Sequence, residues 1–293
     1  MTDKENPQKI KSAKKMRDIM ALYYMDALAA SQNKKKVAWI TSGGPVEPLV
    51  AMDIIPVYPE NHGAMIGASK MGEDLCVKAE EMGYSQDLCS YARADIACAK
   101  VKGGPMGGLP QPDMLICCNN ICGTVLKWYE IQARYFKVPL FILDTPVCHT
   151  GYSKEIHRYV KAQIREYVRF LEQAAGRPLD RDRMDEVGRL SLEGQKLWQK
   201  VLNTTANKPS PMSAFDAFFF LALIVTLRGT QTAVDFYEDL LEEMEQRIHQ
   251  GMGILPREKY RLLWDNLPVW HQLKWLSKTF GSHGACLVAD TYT

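Results

Sequence analysis

Along the first half of the chain, short apolar runs alternate with stretches in which apolar residues recur at the spacing of a helix. This order restricts the possible folds more than any other feature. Strands that alternate with helices indicate a parallel sheet covered by helices on both faces. We therefore predict an α/β fold with a parallel sheet of the Rossmann or flavodoxin-like type. The predicted strands are Lys36–Ile40, Ile54–Tyr58, Asp113–Cys118 and Pro139–Leu143. The predicted helices are Val46–Met52, Ala64–Met82, one from Ser85 or Asp87 to about Lys100, and Gly123–Lys137.

After Pro146 the pattern becomes largely helical. The stretch Lys154–Ala175 carries apolar residues at helical spacing, and its basic opposite side is interpreted as a solvated face. Further helices are predicted at about 184–202, 214–227 and 232–250. Two apolar runs, Lys259–Trp264 and Ala285–Ala289, flank a helix and predict the start of a second α/β domain that is truncated at the end of the sequence.

These patterns predict four segments along the chain. They are an N-terminal helical segment over residues 1–34, an α/β domain over 35–150 that contains the candidate binding residues described below, a helical connecting region over 151–256, and an incomplete second α/β domain over 257–293.

Composition excludes several classes of partner. A formal net charge of +2 in 293 residues gives no reason to expect binding to nucleic acid or to a membrane surface. The longest apolar run, Ala217–Leu227, is shorter than the roughly 20 residues that a membrane span needs. The polar, lysine-rich stretch from Met1 to Arg17 does not resemble a secretory signal. We therefore expect a cytoplasmic protein with mostly reduced cysteines.

The arrangement of the cysteines is typical of a metal site. Cys117-Cys118-Asn119-Asn120-Ile121-Cys122 lies where a predicted strand passes into a helix, and Cys89 opens another predicted helix upstream. The positive end of a helix dipole lowers the pKa of a thiol and so favours the thiolate that binds metal. Soft thiolate ligands at these turns predict an iron–sulfur centre. Three other cysteines, Cys76, Cys98 and Cys286, are interpreted as small buried hydrophobic residues and not as ligands.

Two polar residues are predicted to lie near these cysteines. Ser42 and Glu60 follow predicted strands, as Cys122 does, and ligands of open parallel sheets bind beyond the carboxyl ends of the strands. Taken singly, Ser42 could cap a helix and Glu60 could be a surface acid. A zinc site is a further alternative, but Cys148-His149 and the Cys117–Cys122 block do not have the two closely spaced ligand pairs of structural zinc sites.

Several motifs together resemble one family, that of the benzoyl-CoA reductases and 2-hydroxyacyl-CoA dehydratases, and the resemblance extends over nearly the whole chain. The two cysteine-containing motifs are the most specific. The motifs are Tyr58-Pro59-Glu60-Asn61-His62, Asp87-Leu88-Cys89-Ser90-Tyr91-Ala92-Arg93, Cys117–Cys122, Lys127-Trp128-Tyr129-Glu130, Lys208-Pro209-Ser210-Pro211, Arg228-Gly229 and Glu258-Lys259-Tyr260-Arg261.

The resemblance implies a catalytic subunit with a [4Fe-4S] cluster held by three cysteines. Cys89 and Cys122 match the first two ligands, while the third ligand of the family falls beyond residue 293. Cys118 and Cys148 are the local substitutes. Ser42 and Glu60 match the positions that contact the acyl thioester, with Glu60 as the proton-transfer group.

The same resemblance implies an oxygen-sensitive hetero-oligomer with a homologous second cluster-bearing subunit. Low-potential electrons would come from a separate ATP-hydrolysing iron–sulfur activator, since this sequence has no Gly-x-x-x-x-Gly-Lys-Ser/Thr loop. The substrate would be an acyl-CoA thioester.

Two reactions of the family compete. The segments Ser42–Pro48 and Ile121–Leu126 are more similar to the smaller subunit of ATP-dependent benzoyl-CoA reductase, which makes dearomatising reduction of benzoyl-CoA the expected activity. The alternative is the alpha subunit of an (R)-2-hydroxyacyl-CoA dehydratase, a lyase that removes water by radical chemistry. An electron-transfer or scaffold subunit without a substrate site, and a stable fragment without metal, also remain open.

Overall fold

The computed structural model describes residues 9–149 and 151–293, so residues 1–8 of the predicted N-terminal segment and Thr150 lie outside the described residues. The chain divides into two compact units. One is Tyr24–Val187, and the other combines the described residues up to Tyr23 with Gly188–Thr293. The four segments expected from the sequence stay predictions.

The first unit contains the parallel sheet predicted from the sequence. Its strands are β1 (Val37–Ile40), β2 (Ile55–Val57), β3 (Met114–Cys118) and β4 (Leu140–Leu143). All neighbours are parallel and the order is β2-β1-β3-β4, which confirms the α/β fold class. This order is that of flavodoxin-like sheets, in which the chain reverses its direction of winding between β1 and β3.

The helices of this unit follow the strands, as the alternating pattern predicts. They are α2 (Glu47–Ala51), α3 (Pro59–Ala68), α4 (Gly72–Glu81), α5 (Ser90–Val101), α6 (Gly123–Phe136) and α7 (Lys154–Ala175). Helix α1 (Ser12–Leu28) precedes β1 in the chain, and its residues up to Tyr23 belong to the other unit. The central strands β1 and β3 are buried along their whole length. Their side chains pack with the buried faces of α5 and α6 in one core that includes Trp39, Leu115, Ile96 and Trp128.

Two helix predictions are wrong in detail. The single helix expected over Ala64–Met82 is two helices, because α3 ends at Ala68 and Lys70 adopts a left-handed backbone with φ 58°. The helix expected to begin at Ser85 or Asp87 begins at Ser90. The Ser85 hydroxyl instead accepts a hydrogen bond from the backbone N–H of Asp87 within a turn.

The second unit is mainly helical. Its elements are α8 (Arg181–Asn203), α9 (Ala214–Thr226), α10 (Gln231–His249), β5 (Tyr260–Trp264), α11 (Leu273–Ser282) and β6 (Ala285–Asp290). A core of buried aromatic and aliphatic residues, among them Phe220, Phe236 and Leu240, joins α9 and α10. Strands β5 and β6 form a parallel two-stranded sheet, as the sequence predicts for the start of a second α/β motif.

None of the helices in the described ranges is long and apolar enough to cross a lipid bilayer.

Candidate functional site

Three residues predicted from the sequence follow strands that end at the same edge of the sheet. Ser42 follows β1, Glu60 lies in the first turn of α3 just after β2, and Cys122 follows β3. The strands β1 and β3 flank the point where the winding reverses, which is where ligands bind in sheets of this type. The topology therefore gives these residues a shared location.

Ser42 and Glu60 are in direct contact. The backbone N–H of Ser42 donates a hydrogen bond of 3.1 Å to Oε1 of Glu60, and the Ser42 hydroxyl donates one of 3.1 Å to Oδ1 of Asn61. The hydroxyl of Tyr129, on α6, donates a hydrogen bond of 2.8 Å to Oε2 of Glu60. Both oxygens of this carboxyl group are therefore held by donors from two other parts of the unit.

The environment of Glu60 shifts its proton affinity. Burial raises the pKa of Glu60 from 4.5 to about 7, because removal of water penalises the charged form. The donors from Ser42 and Tyr129 lower the pKa, while the negative charge of Asp95 raises it further. A carboxyl group with a pKa near neutrality can both accept and release a proton at physiological pH, which is the property of a general acid or base.

Asp95 is a buried carboxylate that sequence reasoning missed. Its Oδ2 accepts hydrogen bonds of 2.8 Å from Nε1 of Trp128 and 2.8 Å from Nε2 of Gln132. Its Oδ1 lies 3.3 Å from Nδ1 of His62. The side chains of Asp95 and His62 are 2% and 1% exposed, so a full set of donors is what makes burial of the carboxylate possible.

Cys89 and Cys122 occupy equivalent positions at the starts of two helices. Cys89 is the N-cap residue of α5 and Cys122 is the N-cap residue of α6. The thiol sulfur of Cys122 accepts a hydrogen bond of 3.3 Å from the backbone N–H of Val125. Both side chains are exposed, so neither sulfur lies in a core. Their exposure leaves both thiols accessible to a metal.

The other cysteines differ from this pair. Burial raises the pKa of Cys98, Cys117 and Cys286 to about 12. Burial also raises the pKa of Cys118, so Cys118 as a local third ligand stays a prediction. The half-buried Cys148 donates from its sulfur to the backbone oxygen of Pro146 at 3.6 Å.

The donor set provides part of what an iron–sulfur cluster needs. All eight cysteines are free thiols. Within residues 9–149 and 151–293, no three His, Cys, Asp or Glu side chains lie close enough together to hold a metal ion. Cys89 and Cys122 fit a cluster by their chemistry and exposure, but the described residues do not complete a three-cysteine site.

Comparison with known proteins identifies the family. The family model described as "2-hydroxyglutaryl-CoA dehydratase, D-component" matches residues 41–293, which is most of the chain. The chain belongs to this family. The resemblance stated from the sequence motifs is therefore confirmed.

The similar proteins include subunits of dehydratases and of a benzoyl-CoA reductase. The chain is 34% identical to the (R)-phenyllactyl-CoA dehydratase alpha subunit of Clostridium sporogenes, over 100% of this chain and 72% of that protein. It is 34% identical to the (R)-2-hydroxyisocaproyl-CoA dehydratase alpha subunit of Clostridioides difficile, over 94% of this chain and 68% of that protein. It is 32% identical to a benzoyl-CoA reductase subunit of Thauera aromatica, over 100% of this chain and 71% of that protein.

These relatives change the expectation for the activity. The family model and two of the three relatives are described as dehydratases, so the comparisons favour the dehydratase branch over the reductase expected from the sequence. The chain is thus a member of an enzyme family of CoA-thioester dehydratases and benzoyl-CoA reductases.

Proposed function

We propose that this chain is the alpha-type catalytic subunit of an (R)-2-hydroxyacyl-CoA dehydratase, with Glu60 as the group that handles the proton in the loss of water. The observation that carries the proposal is the Glu60 carboxyl group at the ligand-binding edge of the sheet. Its two oxygens are held by Ser42 and Tyr129, and its pKa is raised to about 7. The names of the dehydratase relatives support the substrate class.

The reaction needs a proton at the leaving hydroxyl group. Dehydration removes a hydroxide from one carbon of the acyl chain and a proton from another, so the products are an enoyl-CoA and water with no net redox change. Protonated Glu60 supplies a proton to the departing hydroxide, because a poor leaving group such as hydroxide leaves more easily as water. Ser42 orients the carboxyl group through its backbone N–H and presents its hydroxyl beside it.

Cys89 and Cys122 are the residues that would hold a [4Fe-4S] cluster, as exposed thiols at the first residues of two helices. When bound, such a cluster would supply low-potential electrons to the substrate. The third ligand stays a prediction, with Cys118 and Cys148 as the local candidates.

The partners follow from the same proposal. The relatives are named as subunits, which supports a hetero-oligomer with a homologous second subunit. We expect the electrons to come from a separate ATP-hydrolysing iron–sulfur activator. A cytoplasmic location agrees with eight free thiols, because thiols stay reduced in that compartment.

Benzoyl-CoA reduction is the second candidate function. It is favoured by the 32% identity to the Thauera aromatica benzoyl-CoA reductase subunit over the whole of this chain. A reductase consumes electrons in proportion to product, whereas a dehydratase needs only traces of reductant because its reaction is redox-neutral.

The test is an anaerobic assay of the complete complex with its activator, ATP and one thioester at a time. The thioesters are (R)-phenyllactyl-CoA, (R)-2-hydroxyisocaproyl-CoA and benzoyl-CoA. We expect many turnovers of a hydroxyacyl-CoA for each electron supplied, and loss of turnover in Glu60→Gln. The control is Glu166→Gln, since Glu166 lies on the exposed side of α7 in an ion pair with Arg169. If benzoyl-CoA is the only one of the three thioesters that reacts, and electrons are consumed in proportion to product, the protein is a reductase and the dehydratase proposal is wrong.

A further inference from the structure

The carboxyl group of Glu60 has neighbours from several elements of the first unit. Ser42 contacts it from the loop after β1 and Tyr129 contacts it from α6. Asp95, on α5, lies 3.3 Å from His62, which is on α3 two residues after Glu60.

Cys117 and Cys118, at the end of β3, also interact electrostatically with Glu60. Burial raises the pKa of both thiols, which favours their neutral form. Tyr129 acts on Glu60 through a hydrogen bond, and Asp95 acts on it through its charge, which makes the smaller contribution.

Tyr129 stabilises the ionised form of Glu60. Its ring is completely buried and its hydroxyl donates to Oε2 at 2.8 Å. A hydrogen bond donated to a carboxylate is stronger than one donated to a neutral carboxyl group. Burial and the neighbouring Glu60 charge raise the pKa of Tyr129 well above its ordinary value, so the hydroxyl keeps the proton that it donates. Because the ring is fixed by packing, the same bond also fixes the rotation of the carboxyl group.

Asp95 acts in the opposite direction. It is held in place by three donors, from His62, Trp128 and Gln132, and none of these interactions extends to Glu60. Its negative charge reaches Glu60 through a buried region where charges are weakly screened. A nearby like charge disfavours the ionised form of a carboxyl group.

We propose that Tyr129 and Asp95 are opposed positioning residues for Glu60: the Tyr129 hydroxyl orients the carboxylate and stabilises its charge, and the buried Asp95 carboxylate favours the protonated form. The inference rests on the proposed function only where it names Glu60 as the group that transfers a proton. Neither Tyr129 nor Asp95 has to touch the substrate for this role.

Two substitutions separate the two effects with little change of shape. Tyr129→Phe removes only the hydroxyl. In Asp95→Asn the side-chain oxygen still accepts from Trp128 and Gln132, while the new amide group faces His62. The imidazole can accept that N–H at Nδ1 by adopting its other tautomer. The charge disappears while the network of hydrogen bonds is kept.

The test follows the protonation of Glu60 directly. Infrared difference spectra recorded across a pH titration show the C=O band of a protonated carboxyl group, and the band that is lost in Glu60→Gln belongs to this residue. We expect Tyr129→Phe to raise the midpoint by about one pH unit, from the loss of one charge-assisted hydrogen bond. We expect Asp95→Asn to lower the midpoint.

The matched control is Tyr167→Phe. Tyr167 is equally buried in the same unit, and its hydroxyl donates to the backbone oxygen of Pro45 at 3.2 Å rather than to Glu60. We expect this variant to leave the midpoint in place. A shift in Tyr129→Phe no larger than in Tyr167→Phe, or shifts of the same sign in Tyr129→Phe and Asp95→Asn, would overturn the inference. Absence of any titrating band that depends on Glu60 would overturn it too.

A second readout separates this inference from the proposed function. The pH profile of kcat/KM with a hydroxyacyl-CoA should move in the same two directions as the infrared midpoint. If the band shifts as expected but the profile does not move, the positioning role stands and the catalytic role of Glu60 falls. If turnover depends on Glu60 while the band does not shift, the catalytic role stands and the positioning role falls. If Asp95→Asn does not fold, Tyr129→Phe still tests the part of the inference that concerns the Tyr129 hydroxyl.

Discussion

Removal of the Glu60 carboxyl group should change how the stability of the protein depends on pH. The pKa of Glu60 is raised from 4.5 to about 7, first by burial. The native state therefore binds this proton more tightly than the unfolded state does. Between these two values the free energy of unfolding falls as pH rises, because ionisation is less favourable in the native state. The pKa shift corresponds to a decrease of at most about 3 kcal/mol in the free energy of unfolding of the wild type by pH 8. Glu60→Gln cannot ionise at this position, so its stability does not decrease for this reason.

The assay is urea unfolding of wild type and Glu60→Gln, under anaerobic conditions, from about pH 5 to about pH 8. We expect the stability difference between Glu60→Gln and wild type to grow across this range by up to about 3 kcal/mol in favour of the variant. Only the change of this difference with pH reports the pKa, because the Gln side chain also meets the Ser42 N–H at every pH and so adds a part that does not vary. Glu166→Gln supplies the comparison for a surface carboxylate. A difference that is independent of pH would refute the assignment of a raised pKa to Glu60.

Two further predictions concern packing and are measured by urea unfolding. Gly104→Ala should cost about 1–3 kcal/mol more than Gly107→Ala. Both glycines have positive φ, but only at Gly104 would the new Cβ lie 2.5 Å from the sulfur of Cys98. Equal losses would refute the steric argument. Leu240→Ala, at a fully buried position, should cost about 2–5 kcal/mol, whereas Leu192→Ala at an exposed position should cost less than about 0.5 kcal/mol. Similar losses would place Leu240 outside the core.

The strands of the first unit could be predicted from the sequence because the ends of the apolar runs coincide with turn residues. The predicted run Asp113–Cys118 contains β3, and Ile54–Tyr58 contains β2. Helix α3 begins at Pro59, five residues before the predicted start at Ala64, and the signal for this earlier start is proline, which is favoured in the first turn of a helix. The break at Lys70 could not be predicted, because the apolar spacing continues across it and only the backbone conformation interrupts it.

The candidate site could be predicted only in part, for a physical reason. Ser42 and Glu60 follow parallel strands, and the shared edge of a sheet brings such residues together regardless of their distance in the sequence. Tyr129 lies in the middle of a helix, where an aromatic residue is usually part of the core, and its contact with Glu60 depends on the packing of α6 against the sheet. The pairing of Asp95 with His62 joins two helices and has no spacing signal for the same reason.

The proposed function depends most on the binding of an iron–sulfur cluster by the thiols of Cys89 and Cys122. The most direct measurement is the iron and acid-labile sulfide content per chain of anaerobically purified complex, in wild type, Cys89→Ser, Cys122→Ser and a Cys76→Ser control on α4. We predict that both of the first two variants lose the iron and sulfide assigned to this chain and that the control retains them. Full iron and sulfide content in Cys89→Ser and Cys122→Ser would contradict the account.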